Sequence, residues 1–234
     1  GTGQKNPGSG GSIPFFLPAP QHSQCSGAIL AFPWGCLFLL LDRTKSVPYN
    51  KFQIMAPMYK TINGIDNLNM IVQNIFNPKD KKKEEITIGD TIYREGDKVI
   101  ELVNMPDDNV YNGDIGIIDR IDTINKEISV DYDGNVVKYS KNILKNFKLG
   151  YVISIHKSQG SEFPVVIIPL LQEYGRMLYR KLIYTGVTRA KTNLFILGEG
   201  EALKKSIENN LSLERKTSLL LMINEMYQEV KIDE

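Results

Sequence analysis

The chain has 234 residues, with 28 Lys and Arg set against 27 Asp and Glu, so its net charge is +1 and no overall basic field marks it for nucleic acid. That length is enough for a real hydrophobic core and suits one or two domains. Cys25 and Cys36 are the only cysteines; they exclude a disulfide framework or a zinc site and suit unpaired thiols in a reducing, cytoplasmic compartment.

Residues 1–46 do not resemble the rest. Gly1 to Gly11 is rich in Gly and Ser, and residues 13–36 mix Pro, Ser, Gly and apolar groups without any period. The apolar stretch 28–41 contains Pro33 and Gly35 and falls short of the roughly 20 residues of a membrane span. A basic leader and a cleavage-type end are both weak, which argues against a secretory signal. Residues 1–46 are expected to be a tag, a scar or a disordered segment without function, and no membrane partner is expected.

Ordinary globular sequence begins near Tyr49. Residues 52–55 read as a short buried strand stopped by Pro57. Gly64 opens a predicted helix whose Ile65, Leu68, Val72, Ile75 and Phe76 follow a period near 3.6, ended by Asn77-Pro78. The charge run 79–85 reads as a solvated linker and a domain boundary. Beyond it come short strands at 97–103, 114–124, 126–132 and 135–139, punctuated by Gly96, Asn112-Gly113 and the hairpin signal Asp133-Gly134. Four or five such strands in about 60 residues suggest a small SH3-like barrel. Lys138, Lys141, Lys145 and Lys148 give its last third a basic side, read either as solubility or as contact with DNA. Tyr93, Tyr111, Tyr132 and Tyr139 either line a peptide groove or pack in its core.

After Gly150 an α/β pattern returns: a strand at 164–169, a helix at about 177–190, a strand at 194–197 and helices at 201–208 and 217–229. Strands alternating with helices argue for a parallel sheet. The expected architecture is therefore one α/β domain, residues 47–83 and 148–234, interrupted by a barrel at 84–147.

The chemistry is concentrated in two blocks. Ser154-Ile-His-Lys-Ser-Gln-Gly-Ser-Glu-Phe163 crowds hydroxyls, a His, a Lys, a Gln, a Gly and a carboxylate against a buried strand, and Thr185-Gly-Val-Thr-Arg-Ala-Lys191 carries an Arg among small neighbours before another apolar run. Open α/β sheets place ligands at strand ends. Nucleoside triphosphate hydrolysis is mostly positioning and electrostatics, which suits the permanent charge and rigid fork of Arg189. Glu162 suits a ribose hydroxyl, and Gly160 allows close backbone approach. Ser154, His156, Lys157 and Ser158 offer short donors and a cation for a DNA backbone.

These blocks carry a family resemblance. Ser154 to Phe163 closely resembles the fifth conserved block of RecD-like superfamily-one DNA helicases, and Tyr184-Thr-Gly-Val-Thr-Arg-Ala-Lys191 resembles their sixth. Gln53-Ile-Met-Ala-Pro-Met-Tyr-Lys60, with Gly64 and Leu68-Asn69, is similar to their fourth; Gly96-Asp-Lys-Val99 and Tyr111-Asn-Gly-Asp-Ile-Gly116 are similar to the barrel inserted in their second motor domain. The likeness spans about 49–200. It implies a RecA-like second motor domain with an inserted SH3-like β-barrel, part of an ATP-driven translocase with 5′-to-3′ polarity. It further implies that Arg189 is the γ-phosphate finger and Glu162 the ribose contact, with Gln159 and Gly160 lining the nucleotide cleft and Lys60 facing the phosphates. Tyr59 and Thr61 depart from the family pattern, where Arg and Gly are usual. Ser154, His156, Lys157 and Ser158 would meet single-stranded DNA. The implied cofactors are ATP and Mg²⁺; the implied partners are single-stranded DNA, the N-terminal motor domain and nuclease-complex subunits.

No G-x-x-x-x-G-K-[ST] phosphate loop occurs in the 234 residues. Without its amides, Lys and Mg²⁺-binding hydroxyl, the chain by itself is not expected to cradle a triphosphate or hydrolyse ATP. Two rival readings remain at this stage, a non-motor DNA-binding module and a protein-interaction module built on the barrel.

Overall fold

A computed structural model describes residues 51–140 and 143–210, together with Phe15–Phe16, Ser218 and residues 222–223. The expectations for residues 1–46 lie outside the described residues except at Phe15–Phe16, and so does most of the helix expected at 217–229.

Among the described residues there are two five-stranded sheets and one two-stranded hairpin. The first is wholly parallel, in the order β1-β12-β11-β2-β10. Its strands are β1 (Phe15–Phe16), β2 (Phe52–Ala56), β10 (Val152–Ser154), β11 (Phe163–Leu170) and β12 (Ala190–Gly198). β2 is buried at every position and β11 at its last five, as expected for strands covered on both faces. Helices α1 (Ile65–Phe76), α2 (Arg180–Val187) and α3 (Gly200–Glu208) accompany this sheet.

The second sheet is antiparallel, in the order β8-β7-β6-β5-β9. It comprises β5 (Lys98–Glu101), β6 (Ile115–Asp122), β7 (Glu127–Tyr132), β8 (Asn135–Tyr139) and β9 (Phe147–Leu149). A separate hairpin, β3 (Glu85–Ile88) and β4 (Thr91–Arg94), leads into it. Asp133 and Gly134 both take positive φ, 51° and 97°, the geometry a two-residue hairpin turn demands. The small sheet therefore begins and ends between α1 and β10: the barrel interrupts the parallel domain in sequence. Its core stacks Phe147 edge-on against Tyr139 and Tyr93, at centroid distances of 4.8 and 5.4 Å.

Some elements differ from expectation for identifiable reasons. The helix expected at 177–190 is only α2. Residues Gln172–Met177 form a 3₁₀ segment broken at Gly175 (φ 48°), and β12 already begins at Ala190. The charge run is not wholly linker, because Glu85 opens β3 and pairs with Lys79 and Arg94. Tyr93, Tyr132 and Tyr139 are buried and only Tyr111 is exposed, so these four tyrosines do not form an open aromatic groove.

Polar side chains hold the two sheets together. Asp97, fully buried, accepts hydrogen bonds from Gln73 Nε2 (2.6 Å) and Asn77 Nδ2 (2.7 Å) of the α1 region, from Tyr151 Oη (3.0 Å) and from the Arg94 amide (2.7 Å). Next to it, Lys98 of β5 is buried and donates to the Phe52 carbonyl of β2 at 2.8 Å. Gly150 passes so close to β5 that a Cβ there would lie 2.7 Å from the Val99 carbonyl carbon, so only glycine fits this return to the parallel sheet. One turn before Gln73 on the same face of α1, Asn69 bonds both backbone groups of Val152, at 2.9 and 2.8 Å, and so satisfies the edge of β10.

Burial pushes the Lys98 ammonium down to about 7, from 10.5 in an unfolded chain. Between these values the unfolded chain binds a proton that the folded chain has released, so stability rises with pH across that window. Buried tyrosines such as Tyr93, pushed up from 10 to about 12 by burial, give the opposite slope only above about pH 10. In urea titrations between about pH 7 and 9.5, wild type should gain stability by up to about 1.4 kcal/mol per pH unit. Lys98→Met should remove most of that rise, leaving the smaller share of Lys157, whose ammonium is also held below the usual range; an unchanged slope in the variant would show that Lys98 is not its source.

Candidate nucleotide and nucleic-acid sites

The residues singled out from the sequence fall in two places. The first is the edge where β11 and β12 begin. These strands run parallel with Phe163 opposite Ala190, and the Phe163 amide donates to the Arg189 carbonyl at 2.9 Å. That pairing sets the turn before β11 against the segment that follows α2. Arg189 lies beyond the helix, one residue past its C-cap Thr188.

The half-buried guanidinium donates through Nε to the Thr185 carbonyl (3.2 Å), through Nη1 to the Ser161 carbonyl (3.3 Å) and through Nη2 to Thr188 Oγ1 (3.0 Å). A guanidinium has five N–H donors, so these three bonds leave two for an incoming anion. Glu162, next to Ser161, is exposed and pairs with Lys191 Nζ at 3.3 Å, with both side chains 57% exposed. A pair so open to water contributes little and is readily exchanged for another partner. Gly160 takes φ +88° with nothing near its missing Cβ, and Gln159 beside it is exposed. Arg189 and Glu162 thus belong to one strand edge, linked through the Ser161–Glu162 peptide.

The second place is the end of β10. Ser154 caps the 3₁₀ turn Ile155–Ser158, its hydroxyl accepting from the Lys157 amide at 3.2 Å. Ser158 is fully buried and donates to the Ile155 carbonyl at 2.7 Å, so its hydroxyl is directed inward and braces the turn. His156 is exposed and Lys157 half-buried. Lys60 is also exposed, in the segment after β2, which runs beside β10.

A cleft of about 500 Å³ opens between the barrel and the parallel domain. Ser154, Lys157, Tyr59 and Met70 line one side, and Leu102 and Lys148 the barrel side. Burial, and to a lesser degree the Lys148 cation, holds Lys157 below the ordinary lysine range, with Glu101 opposing. Two ammonium groups that repel one another across a partly apolar cleft favour an anion between them. Lys148 lies on β9 and Lys157 in the 3₁₀ turn after β10, and no local sequence signal announces that they meet at one cleft; Thr188 and Lys191, by contrast, stand inside a block already singled out.

Comparison with known proteins finds relatives for both parts of the chain. A family model described as the SH3 domain of ATP-dependent RecD-like DNA helicases matches residues 68–132, and one described as the UvrD-like helicase C-terminal domain matches residues 149–197. The ATP-dependent RecD2 DNA helicase of Deinococcus radiodurans is 35% identical over 150 residues, covering 64% of this chain and 20% of that protein. The RecBCD enzyme subunit RecD of Haemophilus influenzae is 26% identical over 185 residues, covering 75% of this chain and 26% of that one. The chain thus spans well under half the length of either relative. Among solved structures, Bacteroides Pif1 helicase in complex with ADP-AlF3 and ssDNA aligns with a TM-score of 0.48 at 17% identity, over 83% of this chain and 50% of that one. That likeness is loose, and the family assignment does not depend on it. The two family models lie one over α1 and most of the barrel and one over β10, β11 and β12 with the turns that carry Glu162 and Arg189; with the RecD2 and RecD relatives they support a RecD-like helicase C-terminal fragment, a RecA-like domain with an inserted SH3-like barrel.

Proposed function

We propose that this chain acts as the second motor lobe of an ATP-dependent DNA helicase or translocase, with the 5′-to-3′ polarity its family resemblance implies. In this reading residues 47–83 and 148–234 form the motor lobe and 84–147 the inserted barrel. An N-terminal lobe of the same protein supplies the phosphate loop. The observation that carries the reading is the double tie between Arg189 and the turn before β11, through the Ser161 carbonyl and the Phe163 amide. A finger and a ribose contact serve one nucleotide only if they are held at a fixed separation.

Arg189 stabilises charge on the transferring γ-phosphoryl group, using the donors its own chain leaves over. Glu162 exchanges Lys191 for a ribose hydroxyl, while Gln159 and the bare backbone at Gly160 lie along the nucleotide. Lys60 contributes a second cation toward the phosphates. Mg²⁺ arrives with the phosphate-loop lobe; among the described residues no cluster of His, Cys, Asp and Glu is suited to a metal. Single-stranded DNA runs past Ser154, His156 and Lys157 and along the cleft, with Ser158 holding the turn from inside. The buried tyrosines favour this reading over a peptide-binding barrel.

Two measurements test it. The 234-residue chain alone should show no DNA-stimulated ATP hydrolysis. In the full-length protein Arg189→Ala should lower kcat by roughly 10³ with little change in KM, and DNA-stimulated hydrolysis by the chain alone that survives this substitution would refute the assignment. Separately, fluorescence anisotropy with a labelled oligothymidylate should show salt-dependent binding by the chain. Lys157→Ala should make the slope of log K against log salt shallower by about 0.7, the value for one lost phosphate contact on a single strand; an unchanged slope would remove Lys157 from the track.

A further inference from the structure

Arg189 is held only by neutral acceptors. Its three partners are two backbone carbonyls, Thr185 and Ser161, and one hydroxyl, Thr188 Oγ1. A carboxylate in any of these places would pair with the guanidinium and cancel the charge that phosphoryl transfer requires. Carbonyls and a hydroxyl fix its direction and leave the charge intact. The carbonyls are stationary for reasons of their own: Thr185 lies in the last turn of α2, and Ser161 belongs to a turn closed by its amide on the Ser158 carbonyl at 3.1 Å.

The hydroxyl is equally fixed. Thr188 Oγ1 lies 3.0 Å from the Tyr184 carbonyl and 3.1 Å from that of Thr185, and both can only accept. Its single hydrogen is therefore engaged at the end of α2, and its oxygen is left as an acceptor for Arg189 Nη2. An arginine free to rotate would lose conformational entropy each time it met a phosphate; one already held does not.

Resting on the reading of Arg189 as the finger, we propose that Thr188 is a positioning residue for it, presenting the guanidinium to the γ-phosphoryl group in one orientation. Because its other two supports are backbone atoms, Thr188 is, among the described residues, the only side chain in this cradle. The preceding residue therefore contributes to the chemical step without touching ATP.

DNA-stimulated ATP hydrolysis by the full-length protein tests the proposal, with Thr188→Val, Thr188→Ala and Thr188→Ser compared in wild-type and Arg189→Ala backgrounds under single-turnover conditions. Loss of a hydrogen bond to a charged group predicts that Val and Ala each lower the rate of the chemical step about tenfold, with KM for ATP within about twofold of wild type. Ser, which keeps the hydroxyl, should restore the rate to within about threefold. In the Arg189→Ala background none of the three should change the rate by more than about twofold. Unaltered rates in Val and Ala, failure of Ser to rescue, or equal losses with and without Arg189 would each overturn the proposal. Should Val fail to fold, as thermal melting would reveal, Ala and Ser still decide the matter. Full activity in Arg189→Ala itself would overturn the finger assignment instead, a result distinct from any of these.

Discussion

The structure depends most on the parallel pairing of β11 with β12. β11 is buried at its last five positions, and its register with β12 puts Phe163 opposite Ala190. The polar residues just before each strand are thereby brought to one edge, although 27 positions separate Glu162 from Arg189. The Phe163 amide and the Ser161 carbonyl then bond to the backbone and side chain of the same arginine. A one-residue slip would break both bonds and turn β11 over, moving its apolar face out of the core. Core packing and site geometry are thus one constraint, and a lobe that folds in this register has already tied the guanidinium of Arg189 to the peptide that leads into Glu162.

The barrel is attached by comparably specific means. Asp97 gathers donors from α1, from the β4 end and from the entry to β10, and Lys98 reaches back to the first residue of β2. Buried ionisable groups of this kind are weak evidence for stability, since desolvation offsets much of the attraction, but each permits a single arrangement of its neighbours. Gly150 adds a steric condition to the electrostatic ones. The cleft that carries Lys148 and Lys157 consequently has walls from two sheets that are bonded to each other.

Much of this was legible in the sequence, and the parts that were not share a cause. The period of Ile65, Leu68 and Val72 announces α1 correctly, yet Asn69 and Gln73 on the same buried face are polar because each has a distant partner, Val152 and Asp97. No hydropathy pattern contains those partners. The hairpin at Asp133-Gly134 is readable because its turn chemistry is local, whereas β9 and β10 are three residues each and owe their existence to the strands beside them. The helix before Arg189 reads as too long because it starts only at Arg180, after the 3₁₀ segment Gln172–Met177, and gives way to β12 at Ala190. At the candidate site, residue types and spacing single out Glu162 and Arg189 as candidates. The cradle around the guanidinium consists mostly of backbone carbonyls, which any sequence contains, so its existence becomes visible only in three dimensions.

If Arg189 meets the γ-phosphoryl group chiefly as charge develops there, its removal must discriminate between a ground-state nucleotide and a mimic of the transition state. The most direct test is the affinity of the full-length protein for ADP alone and for ADP with aluminium fluoride, measured for wild type and Arg189→Ala. The account predicts that the substitution leaves ADP affinity within about threefold and weakens the aluminium fluoride complex by at least about a hundredfold. Equal weakening of both, or of neither, would contradict it.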